Sequence, residues 1–193
     1  MRPSSSSFAL IGLATLAVSA SAFGQATAEL SASETPASGR IAINLAAGNG
    51  NQEANVASIA AGAIPSAPTA LVQMQDNPGG SGAASARLAD HALAGASGLI
   101  AVNIAAGSAN QLANLAVVTI GIAAPAASEP LLEQARASQQ PPGSPGGSSS
   151  PEAEAALSSS AFAGSTGLVQ ANVVGGERNS ASNTFVLSLE AGE

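Results

Sequence analysis

Ser97 to Ile120 reads S-G-L-I-A-V-N-I-A-A-G-S-A-N-Q-L-A-N-L-A-V-V-T-I, and the stretch occurs three times in the chain. A first copy begins at Ser38, S-G-R-I-A-I-N-L-A-A-G-N-G-N-Q-E-A-N-V-A-S-I. A third begins at Thr166, T-G-L-V-Q-A-N-V-V-G-G-E-R-N-S-A-S-N-T-F-V-L-S-L. The copies align without gaps on the skeleton S/T-G-x-I/V-x-x-N-L/I/V-x-x-G-x-x-N-x-x-x-N. The recurring positions are Gly39, Asn44, Gly48, Asn51, Gln52 and Asn55 in the first copy. They are Gly98, Asn103, Gly107, Asn110, Gln111 and Asn114 in the second, and Gly167, Asn172, Gly176, Asn179 and Asn183 in the third. Internal repetition of this kind decides the architecture before any local motif does.

Each copy has two halves around a turn. In the second, Ile100, Val102 and Ile104 alternate with Leu99, Ala101, Asn103 and Ala105, the period of a strand. After the turn G-S-A-N, Leu112, Asn114, Ala116, Val118 and Ile120 share one face, and Leu115, Val117 and Thr119 the other. The turns G-N-G-N, G-S-A-N and G-E-R-N carry Gly and Asn, the residues that most readily take positive φ. Ala and Leu also suit helices, but the glycines, the mid-repeat Asn and the β-branched alternation oppose one. The reading is therefore all-β: three imperfect strand–turn–strand repeats stacking as a β-solenoid or cross-β unit, joined by disordered linkers. Whether each repeat is a hairpin or a β-arch, and whether it stacks parallel or antiparallel, stays open at this level.

Asn is depleted from strands, so its recurrence there needs a reason. Stacking in register would bring Asn44, Asn103 and Asn172 above one another, each amide donating to the next. Asn55, Asn114 and Asn183 would form a second ladder. Asn51, Asn110 and Asn179 read as turn residues.

The flanking sequence divides simply. Residues 1–24, with Arg2, the apolar run Phe8 to Val18 and small residues after it, read as a secretory signal rather than a membrane span. Residues 25–37 form a polar leader. The repeats occupy 38–60, 97–121 and 166–189, with linkers at 61–96 and 122–165 and a tail at 190–193. Ala83 to Leu93 suggests a short Ala-rich helix, and Pro151 with E-A-E-A-A-L suggests another. Ser138 to Pro151 is Pro/Gly/Ser-rich and reads as flexible.

Composition narrows the function. The formal charge is −7, with 5 Lys+Arg, 2% aromatic residues and no Cys. Nucleic-acid binding needs a basic footprint that is absent, and thiolate metal sites and disulfides are excluded. No residue constellation supports catalysis, a metal, a cofactor or a small-molecule substrate. His91 reads as a surface residue on the 83–93 helix. Glu53, Glu177 and Arg178, near turns, read as gatekeepers against off-register pairing. So few large apolar residues predict a monomer that becomes ordered by assembly.

The phrase N-L/I-A-A-G-x-x-N-Q-x-x-N at Asn44 and Asn103, with A-L-A-G-A-S-G from Ala92, resembles the repeats of the Fap functional amyloids of biofilm-forming bacteria. Gly/Asn/Gln spacing is more distantly similar to that of curli subunits. The third copy departs from the phrase, with Ser180 at the position of Gln111 and V-G-G for A-A-G. The resemblance implies secretion across the outer membrane through an exporter, sibling fibril subunits and cross-β self-association at the cell surface, in biofilm matrix or adhesion. A monomeric β-solenoid adhesion module is the alternative from the residues alone.

Overall fold

The computed structural model describes residues 26–31, 36–62, 70–75, 82–121, 131–136 and 152–190. Among them there is no helix. The strands are β1 (Ala26–Leu30), β2 (Ser38–Ala47), β3 (Gln52–Gly62), β4 (Ala70–Gln75), β5 (Ala84–Leu88), β6 (Ser97–Ser108), β7 (Gln111–Gly121), β8 (Leu131–Arg136), β9 (Ala153–Leu157), β10 (Thr166–Glu177) and β11 (Ser180–Glu190). The chain makes three passes through three of its sheets and, among the described residues, two through the fourth. Their orders are β1-β5-β9, β10-β6-β2, β11-β7-β3 and β4-β8.

Every pairing is parallel, and equivalent residues of the copies face each other. Asn44 lies beside Asn103 and Asn103 beside Asn172, while Asn55, Asn114 and Asn183 align in the next sheet. The two halves of a repeat belong to different sheets, so each repeat is a β-arch and not a hairpin. Its turn reverses the chain between sheets instead of pairing neighbouring strands.

Period two then assigns the layers. Ile41, Ile43 and Leu45 of β2, with Ile100, Val102 and Ile104 of β6, turn to an apolar core. Ala26 and Ala28 of β1 and Ala84, Ala86 and Leu88 of β5 close that core from the other side. The opposite face of β2, β6 and β10 looks across the arch to β3, β7 and β11 and carries the mid-strand Asn. The middle pass, covered on both edges, is the most buried. Ile100, Val102, Ile104, Leu112, Leu115 and Val117 are fully enclosed, while Ile59 of the first pass and Val186 of the third stay exposed; at the far end of the arch Ile120 and its partner Leu189 are both exposed.

Two expectations are corrected here. Ala84–Leu88 is a strand and not part of a helix over 83–93, and Asp90 to Gly95 form a turn, with His91 at φ 58°. Ala153–Leu157 is likewise a strand. Ala favours helix in isolation, but A-T-A-E-L, A-S-A-R-L and A-E-A-A-L all follow A-x-A-x-L, which puts two alanines and a leucine on one face of a strand. Burial of that face against β2 and β6 outweighs a propensity of a few tenths of a kcal/mol per residue. The leader likewise holds β1, and the spans read as disordered linkers hold β4, β5, β8 and β9. The signal segment, the flexible stretch 138–151 and residues 191–193 lie outside the described residues.

Candidate self-association site

Local chemistry first bends the arch. Its turns place Gly48, Gly107 and Gly176 at φ 101°, 104° and 106°, and Gly50, Ala109 and Arg178 at φ 67°, 57° and 59°. A Cβ on Gly107 would run into the carbonyl of Gly176, and one on Gly98 into that of Gly39, so the close approach of successive passes itself demands glycine. Positive φ thus falls on the first and third turn residues. It does not fall on Asn51, Asn110 or Asn179, whose side chains serve instead.

Inside the arch the Asn amides form one connected network. Asn103 Nδ2 donates to Asn44 Oδ1 at 3.0 Å and Asn172 Nδ2 to Asn103 Oδ1 at 3.0 Å. Asn114 Nδ2 donates to Asn55 Oδ1 at 2.8 Å and Asn183 Nδ2 to Asn114 Oδ1 at 3.0 Å. The two ladders are tied across the arch, Asn55 to Asn44 at 2.8 Å, Asn114 to Asn103 at 3.0 Å and Asn183 to Asn172 at 3.0 Å. Diagonal bonds run from Asn103 to Asn55 Oδ1 and from Asn172 to Asn114 Oδ1. Buried amides left without partners would cost about 1–3 kcal/mol each. A pass slipped by one residue would forfeit its ladder bonds to the neighbouring passes and keep only the ties within its own arch.

The turn residues form a third ladder, where the sequence suggested only turn chemistry. Asn110 Nδ2 and its backbone N–H both donate to Asn51 Oδ1 at 3.0 Å, and Asn179 does the same to Asn110 Oδ1 at 3.1 and 3.0 Å. Gln52 and Gln111 reach in a different direction and hold the fourth sheet. Gln52 Nε2 donates to the Met74 carbonyl and Gln111 Nε2 to that of Gln73, at 3.2 Å, while Gln73 Nε2 returns bonds to the carbonyls of Gln52 and Leu112. Gln111 Nε2 also reaches Gln52 Oε1. Gln73 was missed in the sequence because it lies in a span read as linker.

The network has a direction. Amide donors run from the third pass to the second and from the second to the first, so the outer edge of the third pass carries the Oδ1 of Asn183. On the outer edge of the first pass, the amide of Asn44 turns back to the Glu53 carbonyl at 3.3 Å. Glu53 is not a turn gatekeeper. Its side chain points into the arch, at the position of Leu112 and Ala181. Burial pushes its carboxyl up to about 8, and the Leu45 backbone amide offsets only part of that.

Elsewhere, Ser158 and Ser160 hydroxyls donate to Asp90 and hold its exposed carboxyl below the usual range. Among the described residues no three His, Cys, Asp or Glu gather as metal ligands, and no helix is long and apolar enough to cross a membrane.

Comparison with known proteins agrees with this geometry. No curated protein and no solved structure matches the chain. A family model does, described as the functional amyloid protein FapB/FapC family, over residues 14–190. The match spans all three repeats and the segments between them. An all-β chain whose copies pair in parallel register through buried amide ladders is thus a member of the functional amyloid protein FapB/FapC family, an amyloid family rather than an enzyme family.

Proposed function

We propose that the chain is a secreted structural subunit that stacks head to tail into cell-surface fibrils, the three passes acting as successive layers of a β-solenoid with cross-β spacing. The observation that carries this reading is the open-ended amide network. The first pass ends in amide donors and the third in acceptors, so a third pass meeting the first pass of another molecule continues each ladder without a break. Stacking like ends would set acceptor against acceptor or donor against donor. Burial supports the same view: the middle pass is enclosed and both outer passes are half-exposed, and addition of further molecules would bring every pass to the state of the middle one. Unpaired parallel edges are templates for such addition.

Family membership supports secretion to the cell surface and a place in biofilm matrix or adhesion, with an exporter and sibling subunits as partners. Fibre diffraction on the full chain released from denaturant at neutral pH tests the assembly. Reflections near ~4.7 Å and ~10 Å from ordered filaments are expected. A clear monodisperse solution without them would refute it and favour a monomeric adhesion module.

A further inference from the structure

The two outer edges are not equally open. Gln52 N–H donates to the Asn110 carbonyl, which turns the peptide groups at 52 and 54 toward the second pass; Ala54 accordingly accepts from Asn103 Nδ2. Alternation along the strand sends the carbonyls of Glu53 and Asn55 the other way, out of the stack. These outward carbonyls are the acceptors that an arriving strand would use. Both already accept from side chains of the first pass itself. Asn44 Nδ2 donates to the Glu53 carbonyl, and Arg40 Nη2 donates to the Asn55 carbonyl at 2.7 Å.

Asn44 recurs in every copy, and its amide can be handed on to the ladder of the next molecule. Arg40 cannot be handed on. The second and third copies carry Leu99 and Leu168 at its position, and those are the copies whose corresponding edges do accept another pass. A charged donor on a carbonyl is among the stronger hydrogen bonds of a protein. The Asn55 carbonyl can take a second donor, but a third pass arriving in register sets Leu168 against Arg40 and would enclose the guanidinium charge, so the side chain has to leave the edge as that pass docks.

We propose that Arg40 is a latch on the assembly edge: it closes the first pass against the third pass of a second copy until that copy displaces it. The latch rests on the head-to-tail reading above and adds a control point to it. Its occupant is a second copy of this chain, because the edge beyond β2 and β3 continues the register in which β6 and β10 already pair. In a solitary chain the latch blunts a template edge; in a filament it is released at each junction.

The test is filament formation by the full chain, followed by amyloid-dye fluorescence and electron microscopy, for wild type, Arg40→Leu and Arg87→Leu. Arg87 lies on β5 in an exposed pair with Glu29, so Arg87→Leu makes the same change in charge and apolarity away from the edge. Arg40→Leu should shorten the lag and raise the seeded elongation rate about tenfold, the factor for releasing one charge-assisted hydrogen bond. Arg87→Leu should stay within about twofold of wild type. Equal or slower assembly by Arg40→Leu, or equal acceleration by both variants, would overturn the latch while leaving the assembly reading intact. Filaments from none of the three would overturn the assembly reading and the latch with it.

Discussion

Asn103→Ala is the most direct test of the amide network. Asn103 is fully buried in the middle pass. Its amide donates to Asn44 Oδ1 at 3.0 Å, to the Ala54 carbonyl at 3.1 Å and to Asn55 Oδ1 at 3.2 Å, and its oxygen accepts from Asn114 and Asn172, each at 3.0 Å. Truncation removes these five contacts, which share two N–H groups and one oxygen and are together worth about 3 kcal/mol net. The partner amides keep other acceptors, Asn114 on Asn55 and the Val102 carbonyl, Asn172 on the Ala113 carbonyl. Little further desolvation penalty follows, and about 3 kcal/mol per molecule is expected. At 1.4 kcal/mol per tenfold, in denaturant strong enough to keep the soluble chain unfolded, the soluble concentration in equilibrium with filaments should rise about 100-fold. The assay is sedimentation of matured filaments and quantitation of the supernatant. Asn114→Ala should act similarly, and the double variant should cost less than the sum, by about 1 kcal/mol for the shared Asn114–Asn103 bond. A rise below about threefold, or full additivity, would refute the network as the source of register and cohesion.

Three further outcomes follow from the geometry. Glu53 has a folded-state value raised from 4.5 to about 8, so the folded chain holds a proton that the unfolded chain gives up. Its penalty is absent below about pH 4.5, grows as the pH rises and is complete above about pH 8, on the order of a few kcal/mol; filaments should dissolve more readily at pH 9 than at pH 5, and Glu53→Leu should flatten that profile. Gly98→Ala would push a methyl group into the Gly39 carbonyl and should abolish ordered stacking, whereas a Cβ on Gly39 meets nothing within the chain. Gly39 at φ 96° carries left-handed strain on substitution but no clash within the chain, so Gly39→Ala should weaken β2–β6 amide-exchange protection less than Gly98→Ala does yet suppress elongation, where another molecule would take the place that Gly39 occupies above Gly98; elongation at the wild-type rate would contradict head-to-tail addition. Ala109 takes φ 57° where the first copy has Gly50, so Ala109→Gly should stabilise the filament by about 0.5–1 kcal/mol against denaturant by relieving left-handed strain, and a lowered midpoint would count against it.

Much of this was legible in the residues. The gapless copies required equivalent positions to meet, and the mid-strand Asn had no purpose in an isolated sheet, so repetition and amide stacking could be argued from Asn44, Asn103 and Asn172 alone. Period two in Leu99 to Ala105 settled strand over helix. The A-x-A-x-L recurrence ahead of each copy was equally visible, but alanine carries so little shape or polarity that a five-residue signal of it reads as helix until its burial partner is known. What only the tertiary structure decided was relational. Arch over hairpin, parallel over antiparallel, the tie between the two ladders, the glutamines on the fourth sheet and the outward carbonyl of Asn55 each depend on where a second strand lies. Arg40 reads as an isolated substitution for leucine until the edge it covers is known. Side-chain periodicity is a property of one strand and is written in the chain; the direction of a hydrogen bond belongs to a pair, and folding is what chooses the pair.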